Sequence, residues 1–168
     1  MTVPPAPSPV TTIHFRVRYA ETDAMGVVHH SRYVPWFEMG RTEFIRAHGY
    51  TYRQLEEMGV LLAVIELNAR YRAAARYDDP ILLTTRLVEF GRVKLRFAYQ
   101  VYNEASGQLL CEAETVHAYI GRDGRPIRIT SQFPAAWAQL QAIFERAQAE
   151  AKGGSDGASD AGNATANG

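Results

Sequence analysis

The chain has 168 residues, 46% of them hydrophobic, and its 18 Lys and Arg balance 18 Asp and Glu. Such a chain builds one globular domain with a real core, and the absent net charge removes the overall field that would draw it to nucleic acid or an anionic membrane. The lone Cys111 excludes an internal disulfide, no secretory leader opens the sequence, and no apolar run approaches the roughly 18 residues needed to cross a bilayer, so a cytoplasmic protein without a membrane span is expected.

In chain order, residues 1–10 (MTVPPAPSPV) are proline-rich and residues 151–168 are small, polar and glycine-rich, so both are expected to be disordered tails flanking a single domain over 11–150. Ile13, Phe15, Val17 and Tyr19 alternate with His14, Arg16 and Arg18, the pattern of a half-buried strand leading into the loop that carries Asp23. The period then changes. Tyr33, Phe37, Gly40, Phe44 and Ala47 share one helical face with Trp36 beside it, and His48-Gly49 supplies a stop. Pro35 is tolerated only in a first helical turn, whose N–H groups lack intrahelical partners, which sets the helix start near Ser31 to Val34. Gly40 on the apolar face lets a sheet come close.

A short helix around Gln54 to Met58 is followed by four apolar-rich runs: Leu61 to Arg72, Ile81 to Phe90, Val93 to Tyr102 and Leu109 to Ile120. The linking segments FGR and EASGQ suit hairpins, and Asp123-Gly124 suits another tight turn, so antiparallel neighbours are expected. Trp137, Leu140, Phe144 and Ala147 recur at helical spacing behind Pro134 and form a peripheral helix. The sum is an α+β domain, a curved antiparallel sheet of about five strands wrapped around one long helix. A free sheet edge or face would serve a second copy, so a homo-oligomer is expected.

Asp23 alone reads as a turn or capping residue. Its neighbours change that reading: Glu21, Thr22 and Asp23 on one side and His29-His30 on the other place two carboxylates and two imidazoles around Gly26, just ahead of a helix start. Free N–H groups and the positive end of a helix dipole polarise a carbonyl, and a carboxylate beside them can attack it or activate a water, which is the equipment of acyl-transfer hydrolysis. A zinc or iron site from the histidines with Glu21, Asp23 or Glu38 is the rival, but adjacent histidines lack the same-face spacing of a metal pair, and no metal is expected. Glu38 and Glu43 read as solvated or paired helix carboxylates, with Arg41 or Arg46 at helical spacing. His117 reads as a core or interface group and Cys111 as a buried small hydrophobe. The G-x-S-x-G elbow, the P-loop and the G-x-G-x-x-G fingerprint are all missing, which excludes serine hydrolase, ATPase and dinucleotide readings.

The stretch RYAETDAMGVVHHSRYVPWFEMGRTEFIR, continued by GYTYRQLEEMGVLLAVIELNARYRAAARYDDPI and GRPIRI, resembles YbgC-type acyl-CoA thioesterases of the 4-hydroxybenzoyl-CoA thioesterase superfamily, which have the hot-dog fold. The resemblance covers about residues 12 to 130 and rests on the pattern T-D-x-x-G-x-V-x-H-x-x-Y-x-x-W/F-F-E. It implies that Asp23 is the catalytic nucleophile or general base. It implies that His30 marks where the helix start gives a backbone N–H to the thioester carbonyl, and that Tyr19 lies near the site. It also implies a short- to medium-chain or aroyl acyl-CoA substrate, coenzyme A or acyl carrier protein as carrier, no further cofactor, and a homodimer or homotetramer with sites at the subunit interface. Met25 and Ala73-Ala74-Ala75 depart from the pattern at positions other than Asp23 and His30. Arg70, Arg72, Arg76 and Arg92 are candidates for the coenzyme A phosphates. Two other readings stand beside hydrolysis: a hot-dog hydratase or dehydratase, and a non-catalytic module that binds acyl-CoA or acyl carrier protein.

Overall fold

The computed structural model describes residues 9–153. Most of both expected tails therefore lies outside the described residues. Five strands, β1 (Thr11–Arg16), β2 (Leu61–Tyr71), β3 (Pro80–Phe90), β4 (Lys94–Asn103) and β5 (Leu109–Ile120), make one antiparallel sheet in the order β1-β3-β4-β5-β2. In β3 and β4 the alternation of the sequence is the alternation of burial: Leu95, Phe97, Tyr99 and Val101 of β4 are buried while Arg96, Ala98 and Gln100 are not. Both hairpin linkers turn as expected, and Gly124, with φ +76°, takes the tight turn after β5.

The long helix α1 (Tyr33–Ala47) packs on β1, β3 and β4. Its buried residues are Tyr33, Trp36, Phe37, Gly40, Phe44 and Ile45; Ala47, expected on that face, is exposed, and Ile45 fills the last buried place. Gly40 is where helix and sheet meet most closely. A Cβ there would lie 2.4 Å from Thr85 Oγ1 and 3.0 Å from Leu83 Cδ2. The helix stops at His48-Gly49, where Gly49 has φ +95°.

A short helix α2 (Tyr52–Glu57) follows, started by a capping box in which Thr51 and Gln54 bond reciprocally. After β5 come α3 (Ile129–Gln132) and the peripheral helix α4 (Pro134–Gly153). The second of these buries Ala136, Leu140, Ile143 and Ala147 and stacks Trp137 on Phe90 at 4.5 Å. One edge of the sheet is β2. Its register sets Val64 opposite His117, Leu67 opposite Thr115 and Tyr71 opposite Cys111, so these side chains belong to the helix-bearing face. Yet Val64, Ile65, Leu67 and Tyr71 are all exposed, and of these Tyr71 meets the start of α1, its ring edge-on to Tyr33 at 5.1 Å.

Candidate active site

The strand expected to run through Tyr19 ends at Arg16. Arg16 stands opposite Pro80, the first residue of β3, where the regular pairing stops. Val17 instead exchanges bonds with the turn before β3, donating to the Asp79 carbonyl at 3.1 Å and accepting from Asp78 N–H at 3.0 Å. A 3₁₀ turn over Tyr19–Glu21 then redirects the chain.

The redirected chain forms a miniature hairpin. Thr22 bridges Val28, Asp23 N–H donates to the Val27 carbonyl at 2.9 Å, and His29 N–H donates to the Glu21 carbonyl at 2.9 Å. Gly26 closes the tip with φ +73° and donates to the Asp23 carbonyl at 2.9 Å. The Asp23 carboxylate turns back on its own loop, accepting from Met25 N–H at 2.8 Å through Oδ1. Oδ1 is thus held as in a turn residue, and Oδ2 has no hydrogen-bond partner among the described residues. The hairpin is docked from outside by Val28 N–H, which donates to the Ala75 carbonyl at 2.8 Å.

Its second arm runs straight into the helix start. His29 caps a 3₁₀ turn over His30–Arg32, its Nδ1 receiving Ser31 N–H at 3.3 Å and sharing a bond with Ser31 Oγ at 2.8 Å, and α1 continues from it without a break. The His30 backbone N–H finds no acceptor among the described residues, as expected of the first N–H groups of a helix. The carbonyl of His30 accepts from the Tyr71 hydroxyl at 3.0 Å, which ties the helix start to the end of β2. A half-buried carboxylate and a free, dipole-enhanced N–H therefore sit on the two arms of one hairpin.

Residues 17–146 match the family model of the thioesterase-like superfamily. The chain belongs to that superfamily. It is 34% identical over 126 residues to Bacillus subtilis YneP, covering 74% of this chain and 91% of YneP. It is 37% identical over 101 residues to the acyl-CoA thioester hydrolase YbgC of Escherichia coli, covering 60% of this chain and 75% of YbgC. The solved DHNA-CoA thioesterase of Staphylococcus aureus superposes with TM-score 0.77 at 29% identity, covering 86% of this chain and 95% of that one. The sheet, the long helix and the terminal helix are those of the hot-dog thioesterases.

Within this thioesterase-like chain the remaining residues singled out from sequence divide by position. Tyr19 is 78% exposed, with its ring edge-on to Tyr77 at 5.6 Å. The rings of His29 and His30 lie 4.1 Å apart, and among the described residues no group of three His, Cys, Asp or Glu side chains converges where a metal would be held. Glu43 pairs with Arg46, whereas Arg41 donates to the Tyr52 hydroxyl at 3.0 Å and lies over its ring. His117 is a core group: it is fully buried, bonded through Nε2 to Thr115 Oγ1 at 2.8 Å, and burial, aided by Arg41, pushes its pKa down to about 4. Cys111 is equally buried, and burial pushes its thiol up to about 11, far from a thiolate. Of the arginines, Arg72 is committed to Glu112 at 2.8 Å and Arg76 reaches the Gly26 carbonyl at 3.5 Å; Arg70 and Arg92 are exposed.

Two contributors escape the sequence reading. Tyr71 lies 41 residues from His30, and no local pattern announces their bond. Glu21 is visible in the sequence as a carboxylate near Asp23, but its burial is not; the signal available is Arg18 three residues before it and a tryptophan on the apolar helix face.

Proposed function

We propose that Asp23 and the His30 backbone N–H together hydrolyse an acyl-CoA thioester to a free acid and coenzyme A. That the chain is an acyl-CoA thioester hydrolase is supported by its relatives, and by YbgC in particular. The observation that carries the finer reading is the hairpin itself, which ends one arm in a pinned carboxylate and the other in an unpaired helix-start N–H. A thioester carbonyl oxygen at that N–H would be polarised as negative charge develops on it. Asp23, as nucleophile or as the base for a water, would complete the attack on the carbonyl carbon. The C–S bond breaks, the sulfur leaves as the thiol after taking a proton, and water supplies the acid's new oxygen. No cofactor is needed for these steps; coenzyme A is part of the substrate. Tyr19, exposed in the 3₁₀ turn that precedes Asp23, would touch the incoming thioester rather than the reacting atoms.

The relation to the DHNA-CoA thioesterase supports an aroyl group within the substrate range, beside short- and medium-chain acyl groups; acyl carrier protein is an alternative carrier. The reading includes a cytoplasmic homodimer or homotetramer. β2 is an edge strand with four exposed apolar side chains, Val64, Ile65, Leu67 and Tyr71, and among the described residues no helix is long and apolar enough to cross a membrane. A panel of aliphatic and aroyl coenzyme A thioesters, monitored by thiol release, tests the activity and separates it from hydration of a double bond, which frees no thiol. Asp23→Asn should keep the fold and lower kcat by about a hundredfold or more. Near-normal turnover in that variant removes Asp23 from the reaction.

A further inference from the structure

The hairpin that carries Asp23 contains a second carboxylate with a different environment. Glu21 is only 3% exposed, and both of its oxygens are occupied. Oε1 accepts from the Trp36 indole N–H at 3.0 Å and from the Arg18 guanidinium at 2.9 Å, and Oε2 accepts from Arg18 N–H at 2.8 Å. Trp36 is 1% exposed and lies in the opening turns of α1. The Glu21 carbonyl, for its part, accepts the His29 N–H, one residue before His30. These bonds close a ring: α1 to Glu21 through Trp36, Glu21 to His29 through the backbone, and His29 back into α1 through the 3₁₀ turn.

A turn needs no buried anion to hold it, and desolvating a carboxylate is costly unless its acceptors are filled. Burial alone would raise the pKa of Glu21; the hydrogen bonds from Arg18 and Trp36 outweigh it and leave the carboxyl below its ordinary range, so it is ionised at neutral pH. Three donors point at it, which suits an acceptor-only carboxylate. An amide in its place would turn an NH₂ toward one of those donors.

We infer that Glu21 is a positioning residue that acts through Trp36 and His29 to fix the separation and orientation of the Asp23 carboxylate and the His30 N–H. The inference rests on the roles proposed for those two groups. Its chemical logic is that a reacting carbonyl must meet a nucleophile or base and an oxyanion donor at once, and a misplacement of about 1 Å costs about a hundredfold. The buried Glu21–Trp36 bond joins the arm bearing Asp23 to the helix bearing the donor.

The test is steady-state thiol release from an acyl-CoA by Glu21→Gln, Trp36→Phe and the double variant, with the folded fraction of each measured by circular dichroism and rates expressed per folded chain. Glu21→Gln is expected to lower kcat by about tenfold or more with KM changed less than about threefold. Trp36→Phe, which keeps a ring in the core and removes only the donor, should act in the same direction. The double variant should be no worse than the more impaired single, because both break one connection. In an Asp23→Asn background, Glu21→Gln should cost nothing further. Should Glu21→Gln prove poorly folded, Trp36→Phe alone decides. A kcat per folded chain within about twofold of wild type in Trp36→Phe and Glu21→Gln, or losses that multiply in the double variant, overturns the proposal. An inactive Asp23→Asn with normal Glu21→Gln would overturn this inference alone, whereas a fully active Asp23→Asn would overturn the site assignment on which it rests.

Discussion

Buried titratable side chains separate by what surrounds them, and His117 is the sharpest case. It lies on the helix-bearing face of β5 beneath α1, with Thr115 and Tyr99 linked to it in a row: Tyr99 Oη to Thr115 Oγ1 at 2.9 Å and Thr115 Oγ1 to His117 Nε2 at 2.8 Å. Its Nδ1 makes no hydrogen bond of good geometry, though the Leu62 backbone is close enough to favour a proton slightly. Burial and the nearby Arg41 charge prevail, and the folded pKa is about 4 against an ordinary 6.5. The unfolded chain therefore binds a proton first as pH falls, so stability is retained above about 6.5 and drains away between 6.5 and about 4. That difference corresponds to about 3 kcal/mol. Urea unfolding at neutral pH and near pH 4.5 should reveal most of it, and His117→Gln should flatten the slope over that window whatever it does to the baseline. An unchanged slope in the variant would assign the acid sensitivity elsewhere. Asp23, Gly26 and the His29-His30 pair are readable from residue types crowded into ten positions. The bonds Glu21–Trp36 and Tyr71–His30 are not, because each joins residues that only the fold brings together.

Elements are legible where a period governs them and blurred where a single contact does. The long helix, the four later strands and both hairpins follow from period 3.6, period 2 and turn chemistry. β1 does not extend as far as its alternation, because beyond Arg16 it faces the turn before β3 rather than a strand, and a 3₁₀ turn over Tyr19–Glu21 redirects the chain. The 3₁₀ turn that prefixes α1 has no periodic signature at all. Gly40 shows how a helix-weakening residue can be required by packing. Alanine there gains about 1 kcal/mol of helix propensity, but its Cβ would sit 2.4 Å from Thr85 Oγ1, and overpacking of that kind costs about 1–3 kcal/mol. Gly40→Ala should therefore lower Tm, by about 2–4 °C for each kcal/mol by which the clash exceeds the propensity gain. Thr85 Oγ1 is buried with no hydrogen-bond partner among the described residues, so Thr85→Ala in the same chain should recover much of the loss. Equal losses with and without the Thr85 change would show that the clash lies with Leu83 instead.

At the scale of the whole molecule, the strand order carries information that no local pattern holds. β2 is readable as a strand, but its place at the sheet edge comes from pairing with β5 alone. An edge that shows Val64, Ile65, Leu67 and Tyr71 to solvent is both a ladder of unpaired backbone groups and an apolar surface, which monomers ordinarily blunt with charge or proline. Antiparallel pairing of two such edges about a two-fold axis satisfies both at once and gives a closed assembly. It also bears on the proposed site: Tyr71, at the end of β2, holds the His30 carbonyl, so a partner strand laid along β2 would end beside the helix start of the first protomer. The dimer and the site should then stand or fall together. Ile65→Lys with Leu67→Lys sets like charges along the edge, and this double variant should sediment as a folded monomer with thiol release reduced about tenfold or more. Two results would separate assembly from activity: a wild-type chain that sediments as a fully active monomer, or a monomeric variant that keeps normal turnover.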